Sequence, residues 1–315
     1  MSEMDVVAAD ETEKEKETAL TDEELTRIAK VLDDLKHEQV AERIAATGQL
    51  VTIASALGAE RTRDELLPFL VESTDDEDEV LVVMADQLGM MVGSVGGAQH
   101  AHALLVPLER LAVVEETSVR EKAVASLTTI AKVIDAHQIV SFWLPLVKDL
   151  TNHDYFTARI SACALFSAAY ATTSPSDRQE LREGFARLCS DDTPMVRRVA
   201  ASNLGTFAET VYAASDKEPG DGGGGGSMNP LQGGAASAGG GGAGGGGAGG
   251  GGGGQDQMEW SHDVMLSKVL PAEVVPLVQL FAKLAKDDQD SVRLQSVDNC
   301  VKLAKLMPVS GGDGA

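Results

Sequence analysis

Histidines, cysteines and clustered carboxylates are where this sequence could do chemistry, and their spacing speaks against catalysis. His100 and His102 stand two residues apart. On a helix such neighbours point in different directions, which makes a poor metal pair. His37-Glu38 is a single histidine–carboxylate pair, whereas a di-iron centre needs several at repeated positions. Asp75-Asp76-Glu77-Asp78-Glu79 crowds carboxylates together, yet it lacks the spacing and the glycine of a calcium loop. It reads as a solvated acidic turn. Cys163, Cys189 and Cys300 are widely spaced and form no CxxC pair. Each falls inside a helical pattern, so reduced, largely buried thiols in the cytoplasm or nucleus are expected. No catalytic residue, no cofactor and no metal site is expected. The chemistry left is recognition. Tyr155-Phe156 sits in a polar turn, and exposed aromatics of this kind anchor protein interfaces.

The elements that carry these residues recur. Val80, Val119, Ala158 and Val196 mark a pattern of about 39 residues, with Val40 read as an earlier copy. From each mark, steps of 4, 8, 11 and 15 fall on one helix face. From Val119 they meet Ala123, Leu127, Ile130 and Ile134; from Val196 they meet Ala200, Leu204, Phe207 and Val211. A fixed period of this length predicts stacked helical hairpins. Pro68, Pro107 and Pro145 recur at the same phase, so the first arm of three hairpins is predicted to bend there. Asp, Glu and Thr precede each second arm, where they can cap free N–H groups. Arg120, Arg159 and Arg197 open those arms against the helix dipole. They are expected to pair with acidic turn residues of neighbouring repeats, making a ladder along one ridge.

Composition sets outer bounds. The 315 residues carry a formal charge of −23, which excludes a nucleic-acid partner, because phosphate binding needs clustered Lys and Arg. No stretch approaches the ~20 apolar residues of a membrane span, and no signal peptide is evident. Residues 1–20 read as a disordered acidic tail. Residues 21–213 hold five hairpins, with Thr21 and Glu24 as a capping box at the start. Residues 214–262 are a Gly-rich disordered insertion. A sixth hairpin spans 263–307, and 308–315 form a loop-like tail. The insertion leaves the stack continuous, since closure cost grows only logarithmically with loop length. No polar capping repeat is evident after Met307. The expectation is a truncated chain, or an open end that meets another protein.

Long runs within this pattern are specific. They are Glu60-Arg61-Thr62-Arg63 with Glu65-Leu66-Leu67-Pro68-Phe69-Leu70, then Leu188-Cys189-Ser190-Asp191-Asp192-Thr193-Pro194-Met195-Val196-Arg197-Arg198, and Asp288-Gln289-Asp290-Ser291-Val292-Arg293-Leu294. Together with Asp76 to Leu81 and Pro107 to Thr117, the chain resembles the HEAT-repeat scaffold (A, or 65-kDa regulatory) subunits of type 2A protein serine/threonine phosphatases. The resemblance covers roughly residues 22–213 and 263–307. It implies an all-α, right-handed α-α superhelix, a HEAT-repeat solenoid of about six helical hairpins. It also implies a non-catalytic scaffold that docks B-type regulatory subunits on the ridge of intra-repeat turns. Carried over from the family, Glu115, Glu116, Asp154, Tyr155, Phe156, Asp192, Thr193, Pro194, Met195, Arg197 and Arg198 are expected to face that partner. The phosphatase catalytic subunit binds the last repeats of the family's longer horseshoe, so its binding here requires further C-terminal repeats. The Gly-rich insertion departs from the family pattern. The alternative is a truncated HEAT-repeat adaptor without a phosphatase role.

Overall fold

The computed structural model describes residues 22–215, 266–267 and 269–307, and among them every regular element is helical. The first hairpin joins α1 (Asp22–Asp34) to α2 (Val40–Thr47) and α3 (Leu50–Leu57). The second arm is split because α2 stops at Gly48. In hairpin 2, α4 (Leu67–Glu72) leads to α5 (Asp78–Met90). Hairpin 3 pairs α6 (Leu105–Leu111) with α7 (Thr117–Ala131). Hairpin 4 pairs α8 (Leu144–Thr151) with α9 (Phe156–Ala162) and α10 (Phe166–Ala169). Hairpin 5 is α11 (Pro175–Leu188) and α12 (Pro194–Ser215), and hairpin 6 is α13 (Val275–Leu284) and α14 (Asp290–Leu306). Consecutive second arms pack on one another, α2 on α5, α5 on α7, α7 on α9, α9 on α12 and α12 on α14. One continuous core runs through the pile.

The periodic positions are the core. Val119, Ala123, Leu127 and Ile130 are fully buried, as are Val196, Ala200, Leu204 and Phe207. In hairpin 1 the register differs from the expectation by two residues. Counting from Glu42, not Val40, gives Ala46, Leu50 and Ile53, all buried. Glu42 itself is exposed, so the position marked by valine elsewhere carries a charge in the first hairpin and is hidden from a search for apolar residues. Helix α12 extends to Ser215 with Ala214 buried, two residues past the expected boundary. The side chains of the Thr21–Glu24 capping box, the acidic tail, the rest of the Gly-rich insertion and the C-terminal tail lie outside the described residues.

Each recurrent proline sits just after a change of helix type. A π-helical turn, Thr62–Leu66, precedes Pro68, and another, Ile139–Trp143, precedes Pro145. There Leu67 N–H donates to the Thr62 carbonyl and Leu144 N–H to that of Ile139, five residues back. A proline cannot donate and its ring crowds the turn before it; a wider turn relieves that crowding. Before Pro107 the chain instead takes a 3-10 path, Ala98–Leu104.

Two second-arm contacts share one device. Ser126 Oγ donates to the Ala85 carbonyl at 2.7 Å, and an added Cβ on Gly89 would stand 2.4 Å from that Oγ. One side chain at the same position of hairpin 6, Asn299, donates to the Ala201 carbonyl and accepts the Gly205 N–H at 2.8 Å. Glycine therefore lets α5 and α12 approach a polar clamp on the next arm. Cys163 and Cys189 are buried, and burial pushes both thiols up. Cys300 is exposed, contrary to expectation. It lies on the side of α14 that no described helix covers, where Leu294, Val297 and Val301 are also exposed. Among the described residues the open side is thus on α14, while Leu277 and Leu284 of α13 are core.

Candidate docking ridge

Each turn between the two arms of a hairpin is numbered with its hairpin. The fourth residue of the second arm is Arg43, Leu81, Arg120, Arg159, Arg197 or Arg293 in turn order. Every one of these arginines uses Nη1 to hold two carbonyls of its own turn. Arg159 reaches those of His153 and Asp154 at 2.8 and 2.9 Å, and Arg197 those of Asp191 and Asp192 at 2.8 and 3.3 Å. Arg43, Arg120 and Arg293 repeat the arrangement. This removes the paradox of a cation at a helix start: the guanidinium serves the carbonyls of the turn ahead of it.

The remaining nitrogens of three arginines reach the next turn. Arg43 pairs with Asp76 at 2.9 Å and also with Glu77. Arg159 Nε lies 2.7 Å from Asp191, and Arg197 Nε 2.7 Å from Asp287. The expected ladder therefore exists at Arg159 and Arg197, with Arg43 as a further rung that the spacing of apolar residues conceals. Arg120 does not form one. In turn 4 the matching position is His153, which brings no carboxylate, and Arg120 Nε is buried with no partner among the described residues. Burial pushes the Arg120 guanidinium down. The Arg197 hydrogen bond holds Asp287 at about 2. Burial works against ionisation of Asp191, but Arg159 and the Thr193 N–H still keep it below the usual carboxylate range.

The ladder residues also cap the turns. Asp191 Oδ1 accepts the Thr193 N–H at 2.8 Å and Asp287 Oδ1 the Gln289 N–H at 3.0 Å. His153 Nδ1 accepts the Tyr155 N–H at 3.1 Å, and His37 Nδ1 the Gln39 N–H at 3.1 Å. In turn 5 the capping carboxylate is therefore Asp191. Asp192 is exposed and contributes its carbonyl. The Thr193 hydroxyl accepts from Arg159 Nη2 at 3.3 Å. Between turns 3 and 4 lies a largely apolar groove of about 580 Å³, walled by Val113, Val114 and Glu115 on one side and Tyr155, Phe156 and Thr157 on the other. Arg110 stands at its edge. Tyr155 is 68% exposed, Phe156 39% and Met195 53%.

Residues 181–211, within hairpin 5, match the HEAT repeat. Over 193 residues the chain is 51% identical to the alpha isoform of the 65 kDa regulatory A-type subunit of serine/threonine-protein phosphatase 2A from Arabidopsis thaliana, covering 61% of this chain and 33% of that protein. It is 52% identical over 190 residues to the human beta isoform, covering 60% and 32%. It is 40% identical over 285 residues to the A-type regulatory subunit of the Schizosaccharomyces pombe phosphatase, covering 90% and 39%. The relatives are named as A-type regulatory subunits of phosphatase 2A. The resemblance read from the sequence thus holds, and the chain spans about a third of the length of the curated relatives it matches.

The residues expected from that resemblance fall on one edge of the stack, at turns 3, 4 and 5. Glu115 and Glu116 are exposed, and Glu116 accepts the Ser118 N–H at 3.2 Å as a cap. Asp154, Tyr155 and Phe156 are exposed in turn 4, and Asp192, Pro194 and Met195 in turn 5. Thr193 and Arg197 are half-buried within the ladder, while Arg198 is exposed. Sequence reasoning passed over Asp191, His153 and Val114 at this edge. The signal that finds them is position: all three stand three residues before the second arm, where Asp287 and His37 also stand.

The other residues weighed for chemistry have structural roles. His102 stacks on Phe142, ring centroids 4.3 Å apart, and meets the Gln138 side chain at 2.9 Å. Burial and the neighbouring His100 push His102 down. Asp76 is a ladder residue, and burial, with Glu77 second, holds its carboxyl above the usual range despite Arg43.

Proposed function

We propose that this chain is a non-catalytic scaffold of a type 2A protein serine/threonine phosphatase. The ridge of turns 3 to 5 docks a B-type regulatory subunit. The observation that carries the reading is the exposed pair Tyr155-Phe156 beside the apolar groove. A helix start needs no aromatic there for capping, and such rings contribute most at protein interfaces. Arg198 supports it, exposed beside the ladder arginine Arg197. Similarity to proteins named as regulatory subunits supports a role without catalysis. Gripping the catalytic subunit is not assigned to these hairpins, and a cytoplasmic or nuclear setting fits such a role.

A pull-down with the full chain tests the proposal. Wild type is expected to recover a B-type regulatory subunit, and Arg198→Glu or Pro194→Arg to lose it by at least tenfold. Tyr155→Ala should weaken capture by a similar factor, as hot-spot truncations do. Undiminished recovery by all three variants would remove the ridge from consideration. Recovery of no phosphatase subunit by wild type would favour an adaptor without a phosphatase role.

A further inference from the structure

We propose that His153 is a positioning residue for the aromatic pair, and that turn 4 keeps its docking shape only while the His153 imidazole is neutral. The consequence for binding rests on the docking reading above; the structural part does not. The same hydrogen bond is made in turns 4, 5 and 6, from a backbone N–H to the side chain two residues earlier. In turns 5 and 6 the acceptor is a carboxylate, Asp191 or Asp287, which still accepts in mild acid. In turn 4 it is an imidazole nitrogen, and the N–H is that of Tyr155 itself. An imidazolium carries protons on both nitrogens and cannot accept.

The ring also lies 5.4 Å from the Tyr155 ring, centroid to centroid. Protonation therefore removes the hydrogen bond that sets Tyr155 and places a cation beside its ring. The charged groups around it come from three elements. Asp154 of its own turn, Arg159 of α9, and Asp191 and Asp192 of turn 5 line one cleft with His153. In register, the turn 3 counterpart of Arg159 is Arg120, the arginine that makes no rung to turn 4. Imidazole is the side-chain group that can gain a proton under mildly acidic conditions. His37 makes the same bond to Gln39 in turn 1, where no aromatic residue follows. It serves as an internal control for the cap without the docking pair.

The experiment is an NMR titration of the full chain between pH 5.5 and 8, following the His153 ring together with the Tyr155 and Phe156 amides. Both amides are expected to move with the midpoint of the His153 ring. In His153→Asn, whose side-chain oxygen accepts at every pH, they should hold the neutral position throughout; in His153→Ala they should lie near the acid position at all pH values. A purified B-type regulatory subunit should bind wild type at least fivefold more weakly at pH 5.5 than at pH 7.5, and His153→Asn should bind without that loss. Amides that ignore the His153 titration overturn the proposal, whatever the binding does. Amides that follow it, with no binding at any pH, uphold the cap and sink the docking reading. Binding that weakens equally in wild type and His153→Asn overturns the link between cap and docking.

Discussion

Arg197 joins turn 5 to turn 6 through Asp287 and Asp288 while holding two carbonyls of its own turn. Its removal would leave a half-buried carboxylate without its cation. Asp287→Asn is a gentler probe, because the amide can still cap Gln289. It is expected to lower stability at pH 7 by about 1.5–3 kcal/mol, the range for hydrogen bonds to charged groups, read by urea denaturation. The pH dependence follows from the depressed Asp287 value of about 2. The unfolded chain takes up this proton near pH ~3.9, before the folded chain does. The stabilisation is therefore complete above that value and fades as pH falls towards 2. The gap between wild type and Asp287→Asn should narrow over the same interval. Arg159 and Arg197 were legible as ladder residues because both follow the period. Arg43 was not, since the neighbouring Glu42 concealed the register of hairpin 1. His153 was missed because turns were weighed by their acidity, whereas the cap depends on a position that either a carboxylate or an imidazole can fill.

At the scale of elements, the contact of α5 with α7 turns on Gly89. Helix propensity alone would favour alanine there by ~1 kcal/mol. The added Cβ would stand 2.8 Å from Ser126 Cβ and 3.3 Å from its Cα. Neither is the far end of a flexible side chain, so the helices would have to part. Gly89→Ala is expected to destabilise by about 1–3 kcal/mol, as overpacking does. In a Ser126→Gly background, where the hydroxymethyl group is gone, the same change should become neutral or stabilising. A double-mutant cycle by thermal or urea denaturation checks the change of sign. Arms and turns were legible from periodicity and turn residues. The π-helical turns before Pro68 and Pro145 were not. Sequence shows that a proline bends its helix, but whether the crowding is relieved by widening or tightening the turn depends on the packing around it, and hairpin 3 takes the other route.

For the molecule as a whole, the packing of α14 on α12 matters most, since these neighbours in space are far apart in sequence. The Arg197–Asp287 pair, the Asn299 clamp and the Lys302 bond to Thr206 at 2.7 Å all join them. A joint with this much contact is insensitive to the number of linking residues, because closure entropy changes by only ~0.6 kcal/mol per doubling. Halving the glycine tract should therefore shift the urea midpoint by less than Gly89→Ala does. The six-hairpin count was legible because the period resumes after the tract, with Val292-Arg293 repeating Val196-Arg197. Which side of α14 the described helices leave open was not, since that depends on how α14 seats on α12. The side of α14 that no described helix covers has a practical consequence. Leu294, Val297 and Val301 form an oily strip on a strongly anionic molecule, and strips of this kind make purified proteins cling to one another and to environment-sensitive dyes. Concentrated stocks are expected to turn cloudy when salt screens the mutual repulsion that otherwise keeps the molecules apart, and Val297→Lys with Val301→Glu to keep them clear.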